Sequence, residues 1–199
     1  MEAFAAVVLT GGGARRMGGI DKPAVPVGGQ PMRDRVLDAV SGASARIVVG
    51  PATGLPPDVR HTREDPPGGG PVAATEAGLA LLDPDPPTTV LLAADLPLLT
   101  AEAVRSLVEH VSGAAVDGAV YLDDGGRRQL LCGAWRTAAL RAALARVRAG
   151  RGGTLAGASI RGLVADLTVA ELSWTRSGPP PWWDCDTDDD VRRAEEWIR

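Results

Sequence analysis

Residues 9–22, "LTGGGARRMGGIDK", combine glycines with basic side chains, a combination that binds phosphate groups. Glycines let successive backbone N–H groups turn toward one anion, and Arg15, Arg16 and Lys22 add positive charge. Lys22 is the only lysine of the chain, and every other basic side chain is an arginine. A compact ammonium group retained in such a chain indicates a point charge beside crowded phosphate oxygens. An exposed loop with incidental charges is the alternative.

Neither of two familiar phosphate-binding loops matches this stretch. A dinucleotide fingerprint, G-x-G-x-x-G, would need glycine where Arg16 stands. A P-loop would need lysine and then serine or threonine after Gly18, where the chain has Gly19 and Ile20. A glycine turn followed by basic residues over a longer span remains, and this arrangement fits a triphosphate.

Two acidic clusters could hold a hard cation near this loop. Asp95 ends the apolar run "VLLAAD", and Mg²⁺ prefers one or two carboxylates together with phosphate oxygens and water. A turn or cap before the next helix is the alternative for Asp95. The second cluster, "WWDCDTDDD" at 182–190, contains Asp184 and Asp186, which could instead serve only the N-terminus of a helix.

Alternating apolar runs and helix-period segments predict an α/β fold with a mostly parallel sheet. The glycine loop and Asp95 then lie at the carboxyl ends of strands, where such sheets bind ligands. We expect a single domain over 1–199, with a nucleotide-binding half (1–112) and an acceptor-binding half (113–199). The predicted strands are 4–10, 45–50 and 88–94, and a hairpin surrounds the turn at 123–126. The predicted helices are 32–42, 71–82, 137–150, one capped by Thr100 and one starting at Thr187.

Charge and composition exclude several classes of protein. The net charge is −4 and there is no basic run, which argues against nucleic acid as a partner. No apolar stretch approaches the roughly 20 residues that span a bilayer, and the first residues lack a secretory signal, so we expect a cytoplasmic protein. Cys132 and Cys185 lack metal-type spacing and are expected to be reduced thiols. His61 and His110 complete no recognisable nucleophilic triad and are expected to be peripheral.

The loop sequence resembles the signature L-A-G-G-x-(x)-x-R-M-G-x-D-K of the MobA-like molybdenum cofactor guanylyltransferase family, with threonine for the usual alanine. The resemblance implies a Rossmann-like nucleotidyltransferase fold of the nucleotide-diphospho-sugar transferase type, a three-layer sandwich. It also implies that the loop holds the triphosphate of GTP. The nucleotide contacts carried over are Leu9, Thr10, Gly11 and Gly12, with Lys22 and Arg16 as catalytic charge partners of the phosphates.

Further segments are similar to the family pattern. "DLP" resembles the family's D-x-P, whose aspartate binds magnesium, so Asp95 is the implied catalytic metal ligand and Asp186 a second-rank one. Asp65, before "PPGGGP", is the implied reader of guanine, because a carboxylate can accept from both N1–H and N2–H. A solvated loop carboxylate is the alternative. Gly50 stands where the family has asparagine, which leaves only backbone for a contact there. Asp188 replaces the usual proline of the closing motif.

The resemblance identifies the residues that would bind the acceptor less directly. Arg127, Arg128 and Gln129 correspond to a polar family segment that meets an anionic pterin phosphate, and Asp184 is assigned to the same side. Arg151, followed by two glycines, is a second candidate anion contact. The last candidates are Trp182 and Trp183, which could stack on a pterin or simply pack beside the prolines.

The implied function is Mg²⁺-dependent transfer of GMP from GTP to the terminal phosphate of a molybdopterin-type cofactor, with release of pyrophosphate. The resemblance also implies transient contact with proteins that supply the cofactor or with molybdoenzymes. Three alternatives stay open. They are cytidylyl transfer to the same cofactor, nucleotidyl transfer to another phosphorylated acceptor, and a nucleotide-binding module without turnover. Lys22 and Asp95 argue against the last, because a pure binder has less need of a metal over the α-phosphate.

Overall fold

A computed structural model of the chain describes residues 2–11, 22–175 and 177–199. The strands in these ranges are β1 (Phe4–Leu9), β2 (Pro26–Val27), β3 (Gln30–Pro31), β4 (Ala45–Val49), β5 (Val59–Thr62), β6 (Thr88–Ala93), β7 (Gly118–Leu122), β8 (Arg128–Arg136) and β9 (Val169–Ser173). The helices are α1 (Met32–Ala39), α2 (Pro71–Leu79), α3 (Ala101–Gly113), α4 (Thr137–Gly150), α5 (Ile160–Leu163) and α6 (Asp188–Ile198). None of the helices in these ranges has the length and apolarity needed to cross a membrane.

Seven strands form one mixed sheet in the order β5-β4-β1-β6-β8-β7-β9. The β5-β4, β4-β1, β1-β6 and β7-β9 pairs are parallel, whereas β8 runs antiparallel to both β6 and β7. The separate strands β2 and β3 form a short antiparallel pair. Because β1 and β6 are parallel neighbours, the ends of both strands meet at one edge of the sheet, as the sequence predicts for Gly11 and Asp95.

Helices cover both faces of the sheet and give the predicted three layers. Alternate residues of β1 face opposite sides, which is the two-residue period of a strand. Phe4, Ala6 and Val8 pack with buried residues of α1 and α3. The other residues of β1 pack with buried residues of α2, α4 and α5. The predicted α/β class with a mostly parallel sheet is therefore confirmed.

Most predicted elements are present, with earlier ends for two helices. α1 ends at Ala39 rather than residue 42, because three-residue turns then lead toward β4, with Ser41 N–H donating to Asp38 O. α2 ends at Leu79 rather than residue 82, where Leu81 N–H turns to the carbonyl of Gly78. The hairpin, α4, the Thr100 cap of α3 and the Thr187 cap of α6 are confirmed.

The sequence does not predict β5 and β9 of the seven-stranded sheet, the short β2–β3 pair or the helix α5. The reason is clearest for β5 and β9. Both lie at edges of the sheet, where one side of the strand has no neighbour. β5 consequently exposes Arg60 and His61, and its composition lacks the apolar run of a central strand. In β9 only Leu172 is buried.

Candidate active site

A cleft of about 400 Å³ opens at the carboxyl ends of β1 and β6. Its floor comes from these two strand ends, and its walls come from the start of α2, the first half of β8 and the segment before α6. Leu9, Thr10 and Gly11 continue β1 into the cleft, and Asp95 follows β6. The predicted binding edge of the sheet is thus also the site of a cavity.

Lys22 lies at the centre of the charged groups in this cleft. Its Nζ donates to Asp95 Oδ2 at 2.6 Å and to Asp186 Oδ1 at 2.7 Å. The residue is only 4% exposed, so the ammonium group is almost entirely removed from solvent. Burial by itself lowers the pKa of Lys22, but the hydrogen bonds and negative charges of Asp186 and Asp95 outweigh it and raise the pKa. Lys22 is therefore charged at neutral pH.

Three local structures bring these side chains together. Lys22 opens a 3₁₀ turn over Lys22–Ala24, in which Val25 N–H donates to the Lys22 carbonyl. The chain near Asp95 is held by Ala94 N–H, which donates to the Leu9 carbonyl at 3.0 Å. The Asp95 carbonyl in turn accepts from Cys185 N–H at 3.2 Å, which ties the segment before α6 to the end of β6.

The start of α6 fixes the position of Asp186. Thr187 and Asp190 form a reciprocal capping box, in which each side chain accepts from the other residue's backbone N–H. The Asp190 carboxylate also accepts from the backbone N–H of Asp186 at 3.1 Å. The acidic cluster that the sequence left open as a helix N-terminus therefore serves both purposes. It caps α6 and presents Asp186 to Lys22.

Asp184 lines the same cleft two residues earlier. The surrounding wall desolvates its carboxyl group, and the like charges of Asp186 and Asp95 add to this effect, so the pKa of Asp184 is raised although much of the residue is exposed. Lys22 opposes the shift without cancelling it. A further positive charge in the cleft would consequently be favourable.

Asp95 and Asp186 have the chemistry and the placement to hold a divalent cation. Both carboxylates direct an oxygen at one point, the position of Lys22 Nζ, and carboxylate oxygen is a preferred ligand of Mg²⁺. Within the described ranges, no group of three or more histidine, cysteine, aspartate or glutamate side chains forms a metal cage. Mg²⁺ needs no such cage, because phosphate oxygens and water complete its octahedron.

Thr10 and Gly50, which depart from the family pattern, are in contact with each other. Gly50 has φ of +113°, and a Cβ placed on it would lie 2.8 Å from Thr10 Oγ1. The Thr10 hydroxyl donates to the Pro51 carbonyl at 2.8 Å and also lies 3.1 Å from that of Val49. His61 Nε2 lies 2.7 Å from the Gly50 carbonyl oxygen. A larger residue at position 50 would therefore collide with Thr10. His61, although exposed, is in contact with the backbone of Gly50.

The structure places Asp65 in a different cavity from Lys22 and Asp95. This second cavity has a volume of about 580 Å³ and lies between the segment before α2 and the loop after α4. Arg63, Arg148 and Thr154 share its wall with Asp65. Asp65 is exposed there. Its assignment as the guanine reader stays a prediction.

The predicted acceptor-side residues divide into two groups. Arg128 and Gln129 line the cleft, where Arg128 pairs with Glu171 and Gln129 donates to Asp123 Oδ2 at 2.9 Å. Arg127 lies in the exposed turn, with its backbone N–H bound by Asp123. Arg151 is also exposed and donates to the Ala156 carbonyl at 2.8 Å, which closes the loop after α4.

The two neighbouring tryptophans have different surroundings. Trp182 is 9% exposed, lines the cleft and lies 5.2 Å from the ring centre of Tyr121. Trp183 packs edge-on against Trp197 of α6, with 4.9 Å between ring centres. Packing therefore involves both rings, and Trp182 also contributes surface to the cleft.

Other predicted residues have simpler outcomes. Gly12, Arg15 and Arg16 lie outside the described residues. Cys132 and Cys185 are buried free thiols, as expected. His110 is exposed on α3, where its Nδ1 lies 2.7 Å from the Ser106 carbonyl oxygen.

Sequence reasoning missed several residues that shape the cleft. Pro71 starts α2 and Leu131 lies in β8, and both contribute apolar wall. Ala93 and Ala94 lie directly before Asp95, and their small size leaves room beside the carboxylate. The "AAD" pattern at the end of an apolar strand could have placed these two alanines in the cleft. Leu131 could not be placed there from the sequence, because its location depends on where β8 lies in the sheet.

Comparison with known proteins supports the same family. The model of the MobA-like NTP transferase domain matches residues 6–165. The molybdenum cofactor guanylyltransferase of Acidiphilium cryptum is 31% identical over 144 residues, which cover 67% of each chain. A probable molybdenum cofactor guanylyltransferase of Haloferax mediterranei is 30% identical over 118 residues, and the chain spans only 55% of that relative's length.

Solved structures share the fold at lower identity. Molybdopterin-guanine dinucleotide biosynthesis protein A from Archaeoglobus fulgidus has a TM-score of 0.72 and 21% identity, with 96% of this chain and 97% of that chain covered. The 2-C-methyl-D-erythritol 4-phosphate cytidylyltransferase of Thermus thermophilus has a TM-score of 0.70 and 20% identity, with 98% of each chain covered. These likenesses confirm the predicted nucleotidyltransferase fold. Since the family model covers most of the sequence, the chain belongs to the MobA-like NTP transferase family of nucleotidyltransferases.

Proposed function

We propose that the protein transfers GMP from GTP to the phosphate of a molybdopterin-type cofactor, with Mg²⁺ as its metal, and releases pyrophosphate. The observation that carries this proposal is the convergence of Lys22, Asp95 and Asp186 in a cleft at the end of the glycine-loop strand. One buried cation and two carboxylates at this edge of the sheet are the groups that a metal-bound triphosphate needs. The names of the two curated relatives support guanine and molybdenum cofactor as the substrates.

The proposed reaction depends on the neutralisation of negative charge rather than on proton transfer. An oxygen of the acceptor phosphate attacks the α-phosphorus of GTP, and the bond from that phosphorus to the β-phosphate oxygen breaks. The electron pair leaves with pyrophosphate. Because the acceptor phosphate is already ionised at neutral pH, no general base is required, and positioning and charge neutralisation dominate the barrier. When bound, Mg²⁺ would withdraw negative charge from the phosphates.

Residues of the cleft have distinct roles in this proposal. Asp95 and Asp186 would hold the cation, and Lys22 would bind triphosphate oxygens. Gly11 offers backbone close to the phosphates, because nothing in the described part of the chain lies within 4 Å of the Cβ position at this residue. Trp182, in the segment before α6, and Gln129 and Arg128, on β8, would orient the acceptor in the same cleft.

Thermal unfolding with each of GTP, CTP, ATP and UTP, with and without Mg²⁺, tests the nucleotide and metal together. A ligand at 100 times its Kd adds about 2.7 kcal/mol to the free energy of unfolding, so binding is readily measured. We expect stabilisation by GTP that depends on Mg²⁺ in the native protein and loses this dependence in Asp95→Asn. Asp58→Asn is the control, since Asp58 is an exposed carboxylate paired with Arg46.

Two results would contradict the proposal. A preference for CTP would move the assignment to cytidylyl transfer. The absence of a response to every nucleotide, with the protein folded, would exclude the triphosphate as the ligand of this cleft.

A further inference from the structure

Lys22 occupies the point at which two carboxylates meet. Its Nζ lies 2.6 Å from Asp95 Oδ2 and 2.7 Å from Asp186 Oδ1. We propose that the Lys22 ammonium group holds the place of the divalent cation in the nucleotide-free protein, and that the cation enters only when a triphosphate draws Lys22 away. This inference rests on the proposed function, since the triphosphate is the partner that receives the lysine.

Lysine and metal cannot share this position. Mg²⁺ would need the same two carboxylate oxygens that the ammonium group now contacts, and it would bind them at a shorter distance of about 2.0–2.1 Å. Two cations beside the same pair of oxygens repel strongly, and the buried position of Lys22 offers little water to screen them. The carboxylates therefore bind either the ammonium group or the metal.

The position of Lys22 in the chain allows the exchange. It lies three residues after the glycine-rich stretch at residues 11–19 and opens the short turn at Lys22–Ala24. Its flexible four-carbon stem carries three donors, which can turn from carboxylate to phosphate oxygens without moving the backbone far. A triphosphate in the cleft supplies a competing set of anionic oxygens for the ammonium group.

Charge in the cleft explains why the exchange needs both ligands. Among the described residues, Asp95, Asp184 and Asp186 are three carboxyl groups near the Lys22 ammonium group, so these four side chains have a net negative charge. Triphosphate alone would add more negative charge and withdraw Lys22 from the carboxylates. Metal alone would have to compete with the Lys22 ammonium group for the two carboxylates. Each ligand therefore strengthens the binding of the other, and the coupling is reciprocal.

The single lysine of the chain allows a direct test in the wild-type protein. Protein grown with ¹⁵N-labelled lysine gives one side-chain Nζ resonance, which belongs to Lys22. We expect millimolar Mg²⁺ alone to leave this resonance unchanged, and GTP with Mg²⁺ to shift it. A shift with Mg²⁺ alone equal to that with both ligands would overturn the exchange, and so would an unchanged resonance in protein that has bound GTP and Mg²⁺.

A second test measures the metal without any nucleotide. We expect wild-type protein to bind Mn²⁺ weakly in an electron paramagnetic resonance titration, and Lys22→Met to bind it at least tenfold more tightly. Lys22→Met combined with Asp186→Asn should lose this gain. Arg141→Met is the control, because Arg141 pairs with Asp85 and neither residue lines this cleft.

The outcomes separate this inference from the proposed function. Equal Mn²⁺ affinity of folded Lys22→Met and wild type would overturn the exchange, even for a protein that responds to GTP. Tighter Mn²⁺ binding by Lys22→Met supports the exchange even if GTP transfer fails. Circular dichroism establishes that each variant is folded, and the resonance of the wild-type protein decides the question if Lys22→Met does not fold.

Discussion

Individual charged residues decide what the cleft can bind. Lys22 is almost fully buried, whereas the side chains of Asp95 and Asp186 are 22% and 55% exposed. Water can therefore reach both carboxylates when the lysine is removed. The cost in stability of losing Lys22 should be small for this reason, and the cost in activity large.

We expect Lys22→Ala to lower kcat/KM by at least about 100-fold, because it removes a preorganised charge from the phosphates. The midpoint of thermal unfolding should stay close to that of the wild type. Initial rates of pyrophosphate release, measured beside the unfolding curve, check both parts. Near-normal activity in this variant would exclude the assigned role.

Gly50 is a second residue whose identity the structure explains. We expect Gly50→Ala to lower the free energy of unfolding by more than about 2 kcal/mol, through strain at positive φ and collision with the Thr10 hydroxyl. Adding Thr10→Ala should recover part of this loss, which denaturant titration of the double-mutant cycle measures. Gly178→Ala, at φ of +123° with no described atom within 4 Å of its Cβ position, measures the cost of strain without a collision. Equal losses at positions 50 and 178 would contradict the collision.

At the scale of elements, the start of α6 links stability to the site. The capping box of Thr187 and Asp190 orders the same backbone that carries Asp186. The cap of α3 by Thr100 is a simpler case, because its side chain accepts from Ala103 N–H and neither residue lines the cleft. These two caps therefore make a matched pair for experiment.

We expect Thr187→Ala and Thr100→Ala each to reduce the free energy of unfolding by about 1 kcal/mol, as the loss of an N-cap does. Only Thr187→Ala should also raise the Mg²⁺ concentration needed for half-maximal activity, since it loosens Asp186. Chemical denaturation and metal titrations of the rate measure the two effects. An equal change in metal dependence for both variants would show that the effect is one of general stability.

At the scale of the whole molecule, the sheet joins the two predicted halves, since β8 of the second half pairs with β6 of the first. Burial within this structure determines the chemistry of the two thiols. It raises the pKa of the Cys132 thiol to about 12. Burial also raises the pKa of Cys185 to about 12, with the nearby charge of Asp190 adding to the effect.

Because the thiolate is the reactive form, we expect neither cysteine to react readily with Ellman's reagent at pH 8 in the native protein. Reactivity should increase only as the pH rises toward 12 or the protein unfolds. The absorbance time course in buffer and in guanidinium chloride makes the comparison. Rapid reaction of either thiol in buffer would contradict the burial described.

Much of this architecture could be predicted from local sequence. The apolar runs of β1, β4 and β6 identify central parallel strands, and Thr100 and Thr187 mark helix starts by a local hydrogen bond. The edge strand β5 carries Arg60 and His61, so its pattern resembles a loop. The contact of Lys22 with Asp186 joins residues 164 positions apart, and that of Thr10 with Gly50 also depends on the folded chain. Contacts between residues so far apart in the chain cannot be predicted from local sequence patterns.

The central claim is the transfer of GMP, and the most direct measurement follows the α-phosphate. The protein is mixed with GTP labelled with ³²P at the α-phosphate, Mg²⁺ and molybdopterin, and the products are separated by chromatography. The account expects label to move into a guanine dinucleotide cofactor, with one pyrophosphate released for each transfer and at least a roughly 100-fold lower rate in Asp95→Asn. Label that stays in GTP with folded protein and intact molybdopterin, or that transfers only from CTP, would contradict it.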